Sequence, residues 1–140
     1  MIVLAAADHP LAKTKEININ RICEEFFIMR EPGSGTRLTT EHFFQSHNKK
    51  IKIRMELGSN EAIKQAVIGG LGIAILSRHT LALDAPLGKL TILDVQDFPI
   101  NRHWYFAYPC GKQLSVVAQA FLEYLKQAPD ILSDSSYTHT

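Results

Sequence analysis

The sequence predicts an α/β fold built on a parallel crossover, and three observations carry that expectation. From Ile51 to Leu57 apolar residues alternate with charged ones, Ile51, Ile53, Met55 and Leu57 against Lys52, Arg54 and Glu56, the pattern of a strand with one wet face. Ser59 then stands as an N-cap, and Ile63, Ala66, Val67 and Gly70 fall on one face at helical spacing. Gly69, Gly70 and Gly72 close that helix and open the apolar run Ile73-Ala74-Ile75-Leu76. Strand, helix and strand in this order make a parallel crossover unit.

The remaining elements follow from shorter signals. Ile2 to Ala6 is a continuous apolar run ended by Asp8-His9-Pro10, and Phe26-Phe27-Ile28-Met29 leads into Arg30-Glu31-Pro32-Gly33. Each reads as a buried strand that stops at a turn. Beyond Ser77 the pattern loosens through Pro86 and Gly88, then offers a strand over Leu90 to Val95 and a crossing segment at Phe98-Pro99-Ile100. An aromatic strand over His103 to Tyr108 precedes an amphipathic helix over 113–127, with Leu114, Val117, Ala118, Phe121, Leu122 and Leu125 at helical spacing. The polar stretch 129–140 reads as a flexible tail.

Composition narrows the classes of function. The chain has 140 residues, 46% hydrophobic and 21% charged, and its 15 basic and 14 acidic residues leave a net charge of +1. This is the composition of a globular domain. No basic stripe suited to a phosphodiester backbone is present, so direct DNA contact is not expected. Apolar runs are too short to span a bilayer, and the N-terminal run has no basic residues before it, so a cytoplasmic protein with no membrane partner is expected. Cys23 and Cys110 match no ligand spacing, and the histidines form no H-x-x-x-H pair; neither metal nor cofactor is expected. His42 and His47 read as surface residues, and the Lys49, Lys50, Lys52, Arg54 cluster as a solvated face. Ser34, Ser77 and His79 lack a nucleophile-elbow setting, so no catalytic residue is assigned and an enzyme is not expected.

Polar chemistry concentrates at two helix starts. In Arg30-Glu31-Pro32-Gly33-Ser34-Gly35-Thr36-Arg37 two glycines allow a tight turn, and Ser34 or Thr36 is expected to cap the next helix. Free amides at such a start attract an anion, and Arg37 adds charge beside them. The spacing of a nucleotide P-loop is absent. Ser59 and Asn60 form the second start, at the carboxyl end of a strand, where open α/β sheets bind ligands.

The segment FIMREPGSGTR, 27–37, resembles the start of the second regulatory subdomain of LysR-type transcriptional regulators, and ELGSNEAIKQAVIGGLGIAILSRHTL, 56–81, resembles the block carrying that subdomain's cleft helix and next strand. With Phe98-Pro99-Ile100 and Trp104-Tyr105, both look most like the branch that regulates RuBisCO and carbon-fixation operons, over about Ile2 to Lys126. The resemblance implies a type II periplasmic-binding-protein-like fold. One nearly complete regulatory lobe would span 1–98, and the C-terminal strand and helix of the other lobe would span 99–128.

It further implies a small anionic metabolite, phosphorylated or carboxylate, held in a cleft between lobes. Ser34, Gly35, Thr36 and Arg37 would take its anionic part, and Ser59 and Asn60 its other polar groups. Homo-oligomers would form in the full-length regulator, and promoter DNA would be reached through an N-terminal domain this chain lacks, as a truncated fragment would. A solute-binding protein of a transporter shares the fold and is the alternative. The strand and helix near the C-terminus would lack their usual cover, and the chain alone would offer one wall of the cleft. A gel-shift titration at physiological salt is expected to show no sequence-specific retention of promoter DNA, and specific retention by this chain would refute the assignment.

Overall fold

The structure is a computed structural model that describes residues 1–81, 88–102, 107–111 and 113–127. Strands β1 (Ile2–Ala6), β2 (Phe26–Arg30), β3 (Lys52–Leu57), β4 (Ala74–Leu76) and β5 (Leu90–Leu93) alternate with helices α1 (Ile19–Ile22), α2 (Gly35–Ser46) and α3 (Asn60–Ile68). A 3-10 turn spans Arg78–Leu81, and α4 covers Val116–Gln127. Two compact units result, Met1–Arg102 and His103–Thr140.

In the first unit β1 is flanked by β4 and β5, both antiparallel to it, and β2 pairs with β3 in parallel. Ile73 joins the two groups. Its N–H donates to the Phe26 carbonyl and its carbonyl accepts from the Ile28 N–H, both at 2.8 Å. The resulting order is β3-β2-β4-β1-β5, and α3 carries the chain from β3 across β2 to β4 as the crossover pattern predicted.

Side-chain alternation explains why β1 is apolar throughout. Val3 and Ala5 pack with Phe27, Met29, Ile73, Ile75 and Phe44 of α2 on one face. Ile2 and Leu4 pack with Ile28, Ala74 and Leu76 against Ile63 and Val67 of α3 on the other. A sheet covered on both faces needs continuous hydrophobic strands. The alternation along β3 holds only in part, because β3 is the edge strand. Met55 and Leu57 are half-buried, whereas Ile53 is 41% exposed. Phe26 is likewise 45% exposed, with the Arg54 guanidinium 4.2 Å above its ring. Among the described residues one cation is buried: Lys64 on α3 is 4% exposed, pairs with Glu61 at 2.8 Å and donates to the Thr80 carbonyl at 3.1 Å. Its stem lies along the apolar face while its head reaches polar atoms at the rim.

The first compact unit runs to Arg102. Phe98 and Ile100 pack against the core, and Met1 and Ile100 exchange hydrogen bonds between their N–H and carbonyl groups. The Phe98–Pro99 peptide is cis. In the second unit α4 begins at Val116, and Val117 and Phe121 of its apolar stripe are exposed. The strand expected over 103–108 lies largely outside the described residues, and Ala107 and Tyr108 are not in a strand. The tail 129–140 also lies outside them.

Gly72 is where the fold tolerates no side chain. A Cβ there would lie 2.4 Å from the Phe26 carbonyl oxygen and 3.1 Å from its carbon, at a φ of +156°. Gly72→Ala is expected to destabilise the unit by about 1–3 kcal/mol, the usual cost of forcing atoms into a filled space. Gly69→Ala, whose Cβ meets nothing closer than 3.4 Å, should stay within about 1 kcal/mol of the parent. Urea unfolding of both variants checks the contrast, and equal midpoints would contradict it.

Candidate effector site

Parallel pairing sets the carboxyl ends of β2 and β3 side by side, with Arg30 opposite Leu57 in register. The chain leaves β2 through Glu31-Pro32-Gly33, with Gly33 at φ +89°, and enters α2 at Gly35. It leaves β3 through Gly58 and enters α3 at Asn60. Both helix starts therefore open at the same edge of the sheet, because each follows its strand by a short turn.

The two starts differ in capping. Ser59 is a working cap, its Oγ accepting from the Ala62 N–H at 3.2 Å. Ser34 occupies the cap position of α2, but its side chain makes no capping hydrogen bond. The expectation that Ser34 or Thr36 caps α2 is thus corrected. Gly35 is already the first helical residue, which places Thr36 inside the helix, and the Ser34 hydroxyl is not turned back onto the first-turn amides. Those amides keep their donor capacity.

Arg30 ties the starts together. Its Nε and Nη2 donate to the two carboxylate oxygens of Glu31 at 2.7 and 2.9 Å, and its Nη1 donates to Asn60 Oδ1 at 2.7 Å. The side-chain amide of Asn60 is therefore oriented, with its oxygen held and its NH2 left to donate elsewhere. Arg37 locks the turn from below, donating from Nε to Glu41 (2.7 Å) and from Nη1 to the Arg30 carbonyl (3.1 Å), with Nη1 also 2.6 Å from Glu56. The carboxylates of Glu56 and Glu41 raise its affinity for its proton.

One residue escaped the sequence reading. Arg102 lies 65 positions beyond Arg37, yet its Nη2 sits 3.1 Å from where a Cβ on Gly35 would be. The absence of a side chain at Gly35 lets a guanidinium approach the start of α2. Arg102 makes no hydrogen bond or ion pair among the described residues. No local pattern announces such a contact, since the residue follows an unremarkable Ile-Asn and comes to Gly35 only through the tertiary path of 97–102.

Two depressions lie elsewhere among the described residues. One of about 200 Å³ is lined by Ile2, Arg78, Asp94 and Phe98, and another lies between α2 and the edge of β3, by Phe44, Lys49 and Ile53. Neither includes Ser34 to Arg37 or Ser59 and Asn60, which form a ledge of strand ends. Among the described residues no group of histidine, cysteine or acidic side chains has a metal-binding arrangement, and no helix is long and apolar enough to cross a membrane.

With this geometry in place, similarity to known proteins is informative. The model of the LysR substrate binding domain matches residues 1–130. This chain belongs to that family. It is 54% identical over 125 residues to the HTH-type transcriptional activator CmpR of Synechocystis, covering 89% of this chain and 41% of the relative. It is 53% identical over 125 residues to the RuBisCO operon transcriptional regulator of Acidithiobacillus ferrooxidans, covering 89% and 40%.

The solved regulatory domain of Synechocystis CcmR in complex with 2-PG superimposes with a TM-score of 0.85 at 53% identity, over 91% of this chain and 61% of that one. The effector-binding domain of QuiR superimposes at 0.76 with 22% identity, which supports the fold. The type II periplasmic-binding-protein-like α/β fold inferred from the sequence is therefore the fold of this LysR domain. The chain spans about two-fifths of the length of the curated relatives it matches.

The Arg30–Glu31 fork has a titration signature. The hydrogen bonds from Arg30 hold the Glu31 carboxyl at about 2, below the ordinary 4.5. A depressed folded-state value means that the fork favours the folded arrangement above pH 4.5 and loses that contribution as pH falls from about 4.5 to about 2. Glu31 is partly exposed, so salt screens the effect. A carbon-detected NMR titration is expected to place the Glu31 midpoint near 2 and to move it up toward 4.5 in Arg30→Gln. An unmoved midpoint would mean that Arg30 is not its partner.

Proposed function

We propose that this LysR domain is the effector-sensing part of a transcriptional regulator of carbon-fixation genes, and that it is not an enzyme. Its ligand is a small anionic metabolite, phosphorylated or carboxylate. Ser34, Gly35, Thr36 and Arg37 take the anionic part, and Ser59 and Asn60 orient the remaining polar groups. The observation that carries the reading is the uncapped start of α2 beside the oriented Asn60 amide, on one edge of the sheet. Aligned amide N–H groups and the positive end of a helix dipole favour an anion there. Similarity to a CcmR regulatory domain whose complex contains 2-PG supports an acidic ligand, and similarity to CmpR and to a RuBisCO operon regulator supports the class of genes.

The proposed roles follow from the bonds already made. The Ser34 and Thr36 hydroxyls and the Gly35 and Thr36 amides are donors at the helix start. Arg37 fixes the turn through Glu41 and Glu56 and adds its charge beside the donors. Asn60, with its oxygen held by Arg30, donates from its NH2 to a hydroxyl or carbonyl of the ligand. A full-length regulator of this kind works in the cytoplasm as a homo-oligomer and meets promoter DNA through a separate N-terminal domain, with no DNA contact by the segment described.

A chimera in which this chain replaces the matching 125 residues of Synechocystis CmpR tests the site. Calorimetric titration with 2-PG is expected to show Thr36→Val and Asn60→Ala each weakening binding roughly 10- to 100-fold, as loss of a contact worth about 1.5–3 kcal/mol implies. Melting temperature and promoter affinity without ligand should stay unchanged. Parent-like 2-PG affinity in both variants would reduce the two turns to helix starts with no ligand role.

A further inference from the structure

Residues 97–102 run along α2 in the opposite direction to the helix and touch it at both ends. At the C-terminal end of α2, the Phe98 ring packs edge-on against Phe43 with centroids 4.8 Å apart. There Asp97 also lies 3.6 Å from His47 Nε2. The His47 ring in turn lies 4.4 Å from that of Phe43, tilted by 40°, and its Nδ1 is 2.7 Å from the Phe43 carbonyl oxygen. At the N-terminal end, Arg102 reaches Gly35. Eight residues of helix separate Gly35 from Phe43, about 12 Å at the helical rise, a span that four extended residues cover. Midway, Ile100 is paired with Met1. The strap is thus held by a ring cluster at one end and by backbone bonds in the middle, while its other end carries a guanidinium with no partner among the described residues.

We propose that the segment Asp97–Arg102 is a strap that reads occupancy of the α2 start and passes it to the Met1–Ile100 pair. The proposal rests on the anion-site reading given above. An anion at the first turn of α2 gives Arg102 a charge-assisted partner and fixes the loose end of the strap. Because Phe98 is already anchored on Phe43, fixing Arg102 removes the freedom of the residues between them, and the hydrogen bond from Ile100 N–H to the Met1 carbonyl opens less often. Arg102 is then a positioning residue as well as a ligand contact, and Phe43 and His47 set the far anchor without touching the ligand.

Residue-resolved hydrogen exchange and amide shifts of the chimera with CmpR, titrated with 2-PG and separately with inorganic phosphate, test the strap. The expected result is a shift of the Ser34, Gly35 and Thr36 amides together with slower exchange at Ile100 and at Phe98, whose N–H is bonded to the Val95 carbonyl. The slowing should be at least about 5-fold, the lower end of measured couplings between sites. Arg102→Gln should abolish the slowing while the Ser34 to Thr36 amides still shift at higher ligand concentration. Phe43→Leu should abolish it at Phe98, and His47→Gln, which leaves the ring cluster in place, should reduce it.

Shifts at Ser34 to Thr36 with unchanged exchange at Ile100 and Phe98 would overturn the strap and leave the site standing. Full slowing retained in Arg102→Gln would also overturn it. No response at any of these residues would overturn the strap, and the calorimetry of the chimera then judges the site separately.

Discussion

The polar groups of the candidate site lie at the strand ends because the centre of the sheet is buried on both faces. β1 and the centre of β2 carry no polar side chain, and α2 and α3 cover opposite faces. Unpaired donors and charges are costly within such a sandwich, so they gather where strands stop and helices begin. Because β2 and β3 are parallel, their carboxyl ends lie on one edge and both following helices present their N-termini there. The location of the candidate site is thus a consequence of core burial and strand direction before any particular side chain is considered.

Within that edge, the charges are organised rather than merely clustered. Arg30 is held by the Glu31 carboxylate and the Asn60 amide oxygen, and Arg37 by the Glu41 and Glu56 carboxylates and the Arg30 carbonyl, which converts two mobile cations into struts of fixed geometry. A bidentate fork restricts a guanidinium far more than a lysine point charge would be restricted. The consequence is a ledge whose donors are in place before a ligand arrives, and pre-organised donors lose less freedom on binding. The buried Lys64 plays a comparable part beneath α3, joining Glu61 to the turn at Thr80.

How much of this was legible varies with the range of the interaction. The β3-α3-β4 crossover, the cap at Ser59 and the glycine stop at 69–72 all depend on residues within a few positions of one another, and hydrophobic period and capping chemistry report such relations directly. The β3 alternation was misleading at Ile53, since a period of two says which residues share a face but not whether anything covers that face at a sheet edge. Ser34 had the right identity for a cap, the right position and an extended backbone, yet its hydroxyl makes no cap bond, since the side-chain rotamer is not fixed by residue type.

By itself, then, the sequence determined the β3-α3-β4 crossover, the buried strands β1 and β2 and the two polar turns, and with them the LysR fold, since periodicity and turn chemistry are local and the long block 56–81 is distinctive. Only the tertiary structure decided which distant groups meet those turns. Arg102 beside Gly35, Asn60 bonded to Arg30, and Phe98 and Asp97 against Phe43 and His47 each join residues 30 or more positions apart. The physical reason is that such contacts depend on strand order and on the path of a connecting segment, and a chain's order along the sheet, 3-2-4-1-5 here, is settled by how all the apolar faces are buried together.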